Sequence, residues 1–250
     1  MIESPSDAAE AADSAGQIDA ATPVSIVTLD RICLRYSEAS SALNNISFAL
    51  QPGSFTFVTG ESGAGKTSLL SMIGLALEPT EGTLHVLGHD TASLGRQERA
   101  ALRRRFGMVF QNFRLLPHLT VFENVILPLQ LAGADIREMR AEVEELIGWV
   151  GLETRMHDHP PSLSGGQQQQ VAIARAGITK PQILLADEPT GSIDEEMGQR
   201  LFRLIEAMHR EGTTVVIATH DRMLVERSGY REIRLSGGQL VPPGDDAAKG

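Results

Sequence analysis

Residues 60–67 read Gly-Glu-Ser-Gly-Ala-Gly-Lys-Thr, a glycine, four residues, a second glycine, then lysine and threonine. The apolar run Phe55 to Thr59 precedes them and the proline-free apolar stretch Thr67 to Ile73 follows, so the pattern stands between a strand and a helix. Glycines let the backbone wrap closely around an oxyanion and aim its N–H groups inward, while the helix N-terminus adds partial positive charge. A loop of this kind holds phosphate. Lys66 would neutralise the β and γ phosphates of a nucleoside triphosphate, and the Thr67 hydroxyl would ligate the Mg²⁺ that bridges them. The candidate phosphate-binding residues are Gly60, Ser62, Gly63, Ala64, Gly65, Lys66, Thr67 and Ser68. Glu61 is expected to turn to solvent, because an inward carboxylate would repel the ligand.

A loop between strand and helix requires an α/β frame. The chain has 250 residues and is 42% hydrophobic, enough for one large domain of that class. Ser25 to Tyr36, Ile46 to Leu50 and Phe55 to Thr59 read as strands. Ile136, Met139, Val143, Leu146, Ile147 and Val150 recur at helical spacing with acids between them, with Trp149 flanking the stripe. Met197, Leu201, Leu204, Ile205 and Met208 repeat the pattern and lead into a strand at Thr213 to Thr219. Alternating strands and helices predict a parallel sheet covered on both faces. Residues 1–23, rich in Ala, Ser, Asp and Glu, read as a disordered acidic tail, residues 24–240 as the ordered domain and residues 241–250 as a flexible tail.

The formal net charge of −10 argues against a surface built on nucleic acid. Cys33, the one cysteine, can form no intramolecular disulfide and reads as a structural thiol in a strand. The apolar runs fall far short of the ~20 residues of a membrane helix, and the N-terminal stretch lacks a secretory signal. The expectation is a cytosolic chain, with any membrane contact supplied by a partner.

Further signals lie downstream. The apolar run Ile183 to Ala186 ends in Asp187 and Glu188, two carboxylates at the carboxyl edge of a buried strand, where α/β sheets bind ligands. Asp187 fits a Mg²⁺-holding acid and Glu188 a general base that orients the attacking water. Ser164-Gly165-Gly166-Gln167 reads as a capping box opening a helix through Ile173, and its N–H groups could also receive the γ-phosphate of ATP. His157 and His159, followed by Pro160-Pro161, read as a solvated loop rather than a metal pair.

These pieces, with Gln111 after Phe106 to Phe110, Leu163 to Gln167, Ser192-Ile193-Asp194 and His220, occur in one family's order, and the chain resembles an ATP-binding-cassette ATPase over about residues 24–240. The resemblance implies a P-loop NTPase domain with a mixed core sheet, an antiparallel β-subdomain and an inserted α-helical subdomain at about residues 112–166. It implies ATP and Mg²⁺ as ligands. It also implies a homodimer in which each ATP lies between the phosphate loop of one copy and Ser164, Gly165, Gly166 and Gln167 of the other. Gln111 would contact Mg²⁺ and the attacking water, His220 the γ-phosphate, Tyr36 the adenine ring, and Asp194 the dimer interface.

Within the family the stretch from Ala101 to Arg140 looks most like the cell-division branch, which works with an integral membrane partner. That resemblance implies a cytoplasmic chain, peripheral on the cytoplasmic face of the inner membrane. An ATPase of a lipoprotein-releasing or macrolide-type transporter is the alternative. A non-hydrolysing, ATP-gated scaffold is a third reading, against which Glu188 and His220 argue. Phe113 to Leu116 could form a groove for the partner or pack within the helical subdomain. Arg103-Arg104-Arg105 could meet lipid or partner, or end a helix in solvent. The family usually carries Gln-Gln-Arg after its signature, whereas residues 168–170 are all glutamine, which puts a fixed positive charge in doubt there.

Overall fold

The computed structural model describes residues 25–37, 40–191 and 193–241. Residues 1–23 of the expected N-terminal tail, residues 242–250 of the expected C-terminal tail and Ser192 lie outside the described residues, whereas Val241, assigned to that C-terminal tail, is the last residue of a strand. The elements in chain order are β1 (Val27–Ser37), β2 (Ser40–Leu50), β3 (Phe55–Thr59), α1 (Lys66–Ile73), β4 (Glu81–Val86), β5 (His89–Asp90), α2 (Arg96–Arg103), β6 (Phe106–Val109) and α3 (Val121–Leu131). They continue with α4 (Ile136–Trp149), α5 (Gly165–Gly177), β7 (Ile183–Asp187), α6 (Glu195–Arg210), β8 (Thr214–Ala218), α7 (Arg222–Ser228), β9 (Arg231–Ser236) and β10 (Gln239–Val241).

Strands β3, β7 and β8 are five residues long and buried at every position, as continuous apolar runs must be when helices cover both faces of a parallel sheet. They lie at the centre of a six-stranded sheet in the order β10-β9-β3-β8-β7-β6. All neighbours are parallel except β10, which turns back on β9 through Gly237 and Gly238, both with positive φ. The sheet is therefore mixed, not wholly parallel as strand and helix alternation alone predicts. Alternation along each strand divides the core in two. Leu184, Ala186, Val215 and Ile217 pack with α3 to α6, whereas Ile183, Leu185, Val216 and Ala218 pack with α1 and the N-terminal strands. Each fully buried Val, Leu or Ile among them contributes about 1.5–3 kcal/mol.

The N-terminal strands do not join that sheet. They form a separate antiparallel sheet in the order β2-β1-β4-β5. Strand β2 begins at Ser40, earlier than its apolar half suggests, because register shifts and the left-handed Arg31 and Asn45 break the period of two. Cys33 is buried in β1, its Sγ accepting from the Asn45 N–H at 3.4 Å. In α4 the buried stripe is Val143, Ile147 and the cap Val150, while Ile136 at the helix start is exposed. Helix α2 has a single buried residue, Leu102, and charge around it.

Candidate active site

Strand β3 delivers the chain to Gly60 and α1 starts after Gly65, so the loop between them lies at the carboxyl edge of the central strand. Two glycines are required there. Gly60 has φ 146° and a Cβ would sit 2.3 Å from Leu235 O; Gly65 has φ 103° and a Cβ would sit 2.6 Å from Ala42 O. Lys66 is buried, and its Nζ donates to the carbonyls of Gly60 at 2.7 Å and Glu61 at 3.1 Å, which folds the loop into a ring. Glu61 is exposed and lines a second hollow, with His220, Arg222 and Glu232.

The loop opens on a cleft of about 660 Å³ whose walls include Tyr36, Ser62, Gly63, Gly65, Lys66, Thr67, Ser68, Gln111, Asp187, Glu188 and His220. Two pairs of groups organise it. The Thr67 hydroxyl donates to Asp187 Oδ2 at 2.7 Å, joining the first turn of α1 to the end of β7. His220 Nδ1 lies 2.8 Å from Glu188 Oε1, joining the residue after β7 to the residues after β8. Thr219 donates to the other Glu188 oxygen at 3.2 Å. Glu188 itself has φ 50°, a left-handed conformation costly for a non-glycine residue and typical of functional corners. At the rim, the Tyr36 hydroxyl is 3.0 Å from Ser68 Oγ and the residue is 60% exposed, available to stack on a flat ligand.

Burial pushes the Asp187 carboxyl above its ordinary range; the Thr67 hydrogen bond and Lys66 pull it down and Glu188 pushes it further up. A desolvated carboxylate beside a hydroxyl suits a small hard cation. Among the described residues no group of three or more His, Cys, Asp or Glu could hold a metal unaided. The Thr67 hydroxyl beside the Asp187 carboxylate agrees with Mg²⁺, which takes one or two carboxylates and completes its shell with water and substrate phosphate. Thr67, Asp187 and the Gln111 amide are the groups that could hold it.

Ser164, Gly165, Gly166 and Gln167 stand apart. Ser164 caps α5, the Gln167 N–H donating to Ser164 Oγ at 3.2 Å and the Ser164 N–H to Gln167 Oε1 at 2.9 Å, a closed capping box. Ser164 and Gly165 are exposed, and none of the four lines the cleft of its own chain.

The family model described as "ABC transporter" matches residues 43–191. The chain belongs to the ABC transporter family. As an ATPase of this family, it is 42% identical over 215 residues to the cell division ATP-binding protein FtsE of Escherichia coli K12, a match spanning 86% of this chain and 97% of that one. It is also 42% identical over 200 residues to the macrolide export ATP-binding/permease protein MacB of Burkholderia lata, covering 80% of this chain and 29% of that much longer one. Among solved structures, an ATP-binding cassette in a dimeric post-hydrolysis state bound to ADP and Pi superposes with a TM-score of 0.81 at 37% identity, over 86% of this chain and 97% of that one.

Other residues of the ABC ATPase have structural duties. Asp194 caps α6, accepting from the Met197 N–H at 2.9 Å. Phe113 and Leu115 are half-buried against the core of α3 to α6, so the stretch after Gln111 is packed as well as accessible. Arg103 donates to Leu75 O, which anchors one of the three consecutive arginines. His157 and His159 are exposed. Gln170 is buried, its Nε2 donating to Val150 O at 2.6 Å, turned into its own chain and away from the cleft. Sequence patterns gave no warning of Thr219, although its place beside His220 at a strand end could have done so.

Proposed function

We propose that this chain binds and hydrolyses MgATP as the cytoplasmic subunit of an FtsEX-like complex in bacterial cell division, docked on the inner membrane through an FtsX-like integral membrane protein. Two copies pair head to tail, and the cycle of closing and opening changes the partner's shape and so regulates peptidoglycan hydrolysis. One observation carries the reading: loop, carboxylates and histidine line one cleft, while Ser164 to Gln167, the first two of them exposed, take no part in it; in this reading they serve a second copy.

In this reading Gly60, Ser62, Gly63, Ala64 and Gly65 surround the phosphates, and Lys66 exchanges its bonds to loop carbonyls for bonds to phosphate oxygens. Ser68 and Tyr36 border the nucleotide, the ring of Tyr36 stacking on adenine. Thr67, Asp187 and Gln111 would hold Mg²⁺, which would supply neutralisation of phosphate charge. Glu188 accepts a proton from the attacking water, and its two oxygens are aimed by His220 and Thr219. His220, 72% exposed, can leave Glu188 for the γ-phosphate when the second copy closes the site.

The FtsE relative supports the cell-division role, since it matches nearly end to end. The MacB relative supports a second reading, a macrolide-type or lipoprotein-releasing transporter ATPase. The membrane protein that co-purifies with the chain separates the two. For the chemistry, the complex is assayed for steady-state ATP hydrolysis with wild-type chain and with Glu188→Gln. A fall in kcat of roughly 10²- to 10⁴-fold is expected; equal rates would remove Glu188 from its role.

A further inference from the structure

The four residues after Phe110 adopt an unusual path. The Phe113 N–H donates to Phe110 O at 2.9 Å and the Arg114 N–H to Asn112 O, so the backbone curls tightly just after Gln111. Phe113 and Arg114 are consecutive left-handed residues, with φ of 54° and 48°. Neither is glycine, so this path must be imposed by its surroundings. The outer side is closed by the Arg114 guanidinium, 4.0 Å from the centre of the Phe110 ring.

The inner side is closed from α5. Arg175, in the last turn of that helix, donates from Nη1 to Arg114 O and from Nη2 to Phe113 O, both at 2.8 Å. A planar guanidinium holds two neighbouring carbonyls from two separate nitrogens in a fixed plane, a geometry that an ammonium does not impose. At the other end of α5, Phe113 Cζ lies 4.0 Å from where a Cβ on Gly165 would be, so Phe113 lies along the helix between Arg175 and the signature segment.

We propose that Arg175 is a positioning residue for hydrolysis: by holding the Phe113 and Arg114 carbonyls it fixes the left-handed turn that sets Gln111 in the cleft, and joins that residue rigidly to the signature helix. This rests on the reading of Gln111 as a residue of the ATP site. The guanidinium touches neither the cleft nor the ligand. It acts through Gln111, so its removal alters turnover and spares nucleotide binding.

The test is a double-mutant cycle on the complex with its membrane partner, measuring kcat and KM for MgATP. Arg175→Lys keeps the charge and most of the stem but loses the flat, two-nitrogen fork that fixes both carbonyls in one plane. It is expected to lower kcat roughly 10- to 100-fold, the scale of a small misplacement of a reacting group, with KM within about two-fold of wild type. Gln111→Ala alone lowers kcat, and adding Arg175→Lys to it lowers kcat no further. Hydrogen exchange of the Phe113 and Arg114 amides should quicken in Arg175→Lys while the rest of α5 keeps its protection. Wild-type kcat in Arg175→Lys, or additive losses in the double variant, would overturn the proposal. Should Gln111→Ala keep full activity, the assignment of Gln111 itself falls, whichever way Arg175→Lys behaves, and the proposal falls with it.

Discussion

Gln170 occupies the position where the family usually carries arginine, and it is 2% exposed. Its amide bonds the carbonyl that ends α4 and lies 2.9 Å from Met197 Sδ in α6, so one neutral side chain ties three helices together. Gln170→Met keeps the length and removes the donor, leaving a buried carbonyl short of a partner. A loss of about 1–3 kcal/mol is expected in urea unfolding of the isolated chain, and an unchanged midpoint would show the bond to be idle. The contrast with Lys66, Asp187 and Glu188 shows what a sequence displays at this scale. Those residues are legible because loop and strand end are local patterns whose chemistry is fixed by neighbours in the chain. Gln170, Arg175 and Thr219 act on carbonyls or carboxylates 20 to 62 residues away, and no local spacing encodes such a meeting.

Helix α3 begins with a reciprocal cap. Glu123 N–H donates to Thr120 Oγ1 at 3.2 Å, and the Thr120 N–H and hydroxyl donate to Glu123 Oε2 at 2.7 and 2.9 Å. The Thr120 backbone N–H, with the hydroxyl adding to it, holds the Glu123 carboxyl below its ordinary range. A carboxyl lowered on folding adds stability above its unfolded pKa and loses it as pH falls through the folded one. The difference in melting temperature between wild type and Glu123→Ala is therefore expected to be present at pH 7 and to shrink as pH falls below the usual carboxylate range. Thr120→Ala should cost about 1 kcal/mol at neutral pH. A pH-independent difference for Glu123→Ala would mean that the charge contributes nothing. Helices α4 and α6 show themselves by a long apolar stripe, whereas α2, with one buried side chain, and the bulged β1–β2 pair do not, because periodicity fades where burial is slight or the register shifts.

At the scale of the whole molecule, the cleft and the signature helix belong to one chain yet do not meet in it, and the consequence can be tested through Gly165. Its Cβ would find only Phe113 Cζ at 4.0 Å, an ordinary contact, so a side chain fits without strain. Gly165 is the first residue of α5, where an acid is favoured by the helix dipole and relieves glycine's entropy cost. Gly165→Asp should therefore fold at least as stably as wild type and bind MgATP on its intact loop. It nevertheless sets a carboxylate where the second copy's γ-phosphate would arrive, so ATP hydrolysis should fail in the complex. Lys66→Ala fails for the complementary reason, having lost the cation of its own loop. Mixed dimers of the two variants place both defects in one site and leave the other whole. In an equal mixture half the dimers are mixed and each holds one sound site, so roughly a quarter of wild-type turnover should return if the sites work independently. The order of defects matters: Gly165→Asp hydrolysing ATP alone at the wild-type rate would mean that each cleft is sufficient in itself, and the paired architecture would have to be abandoned.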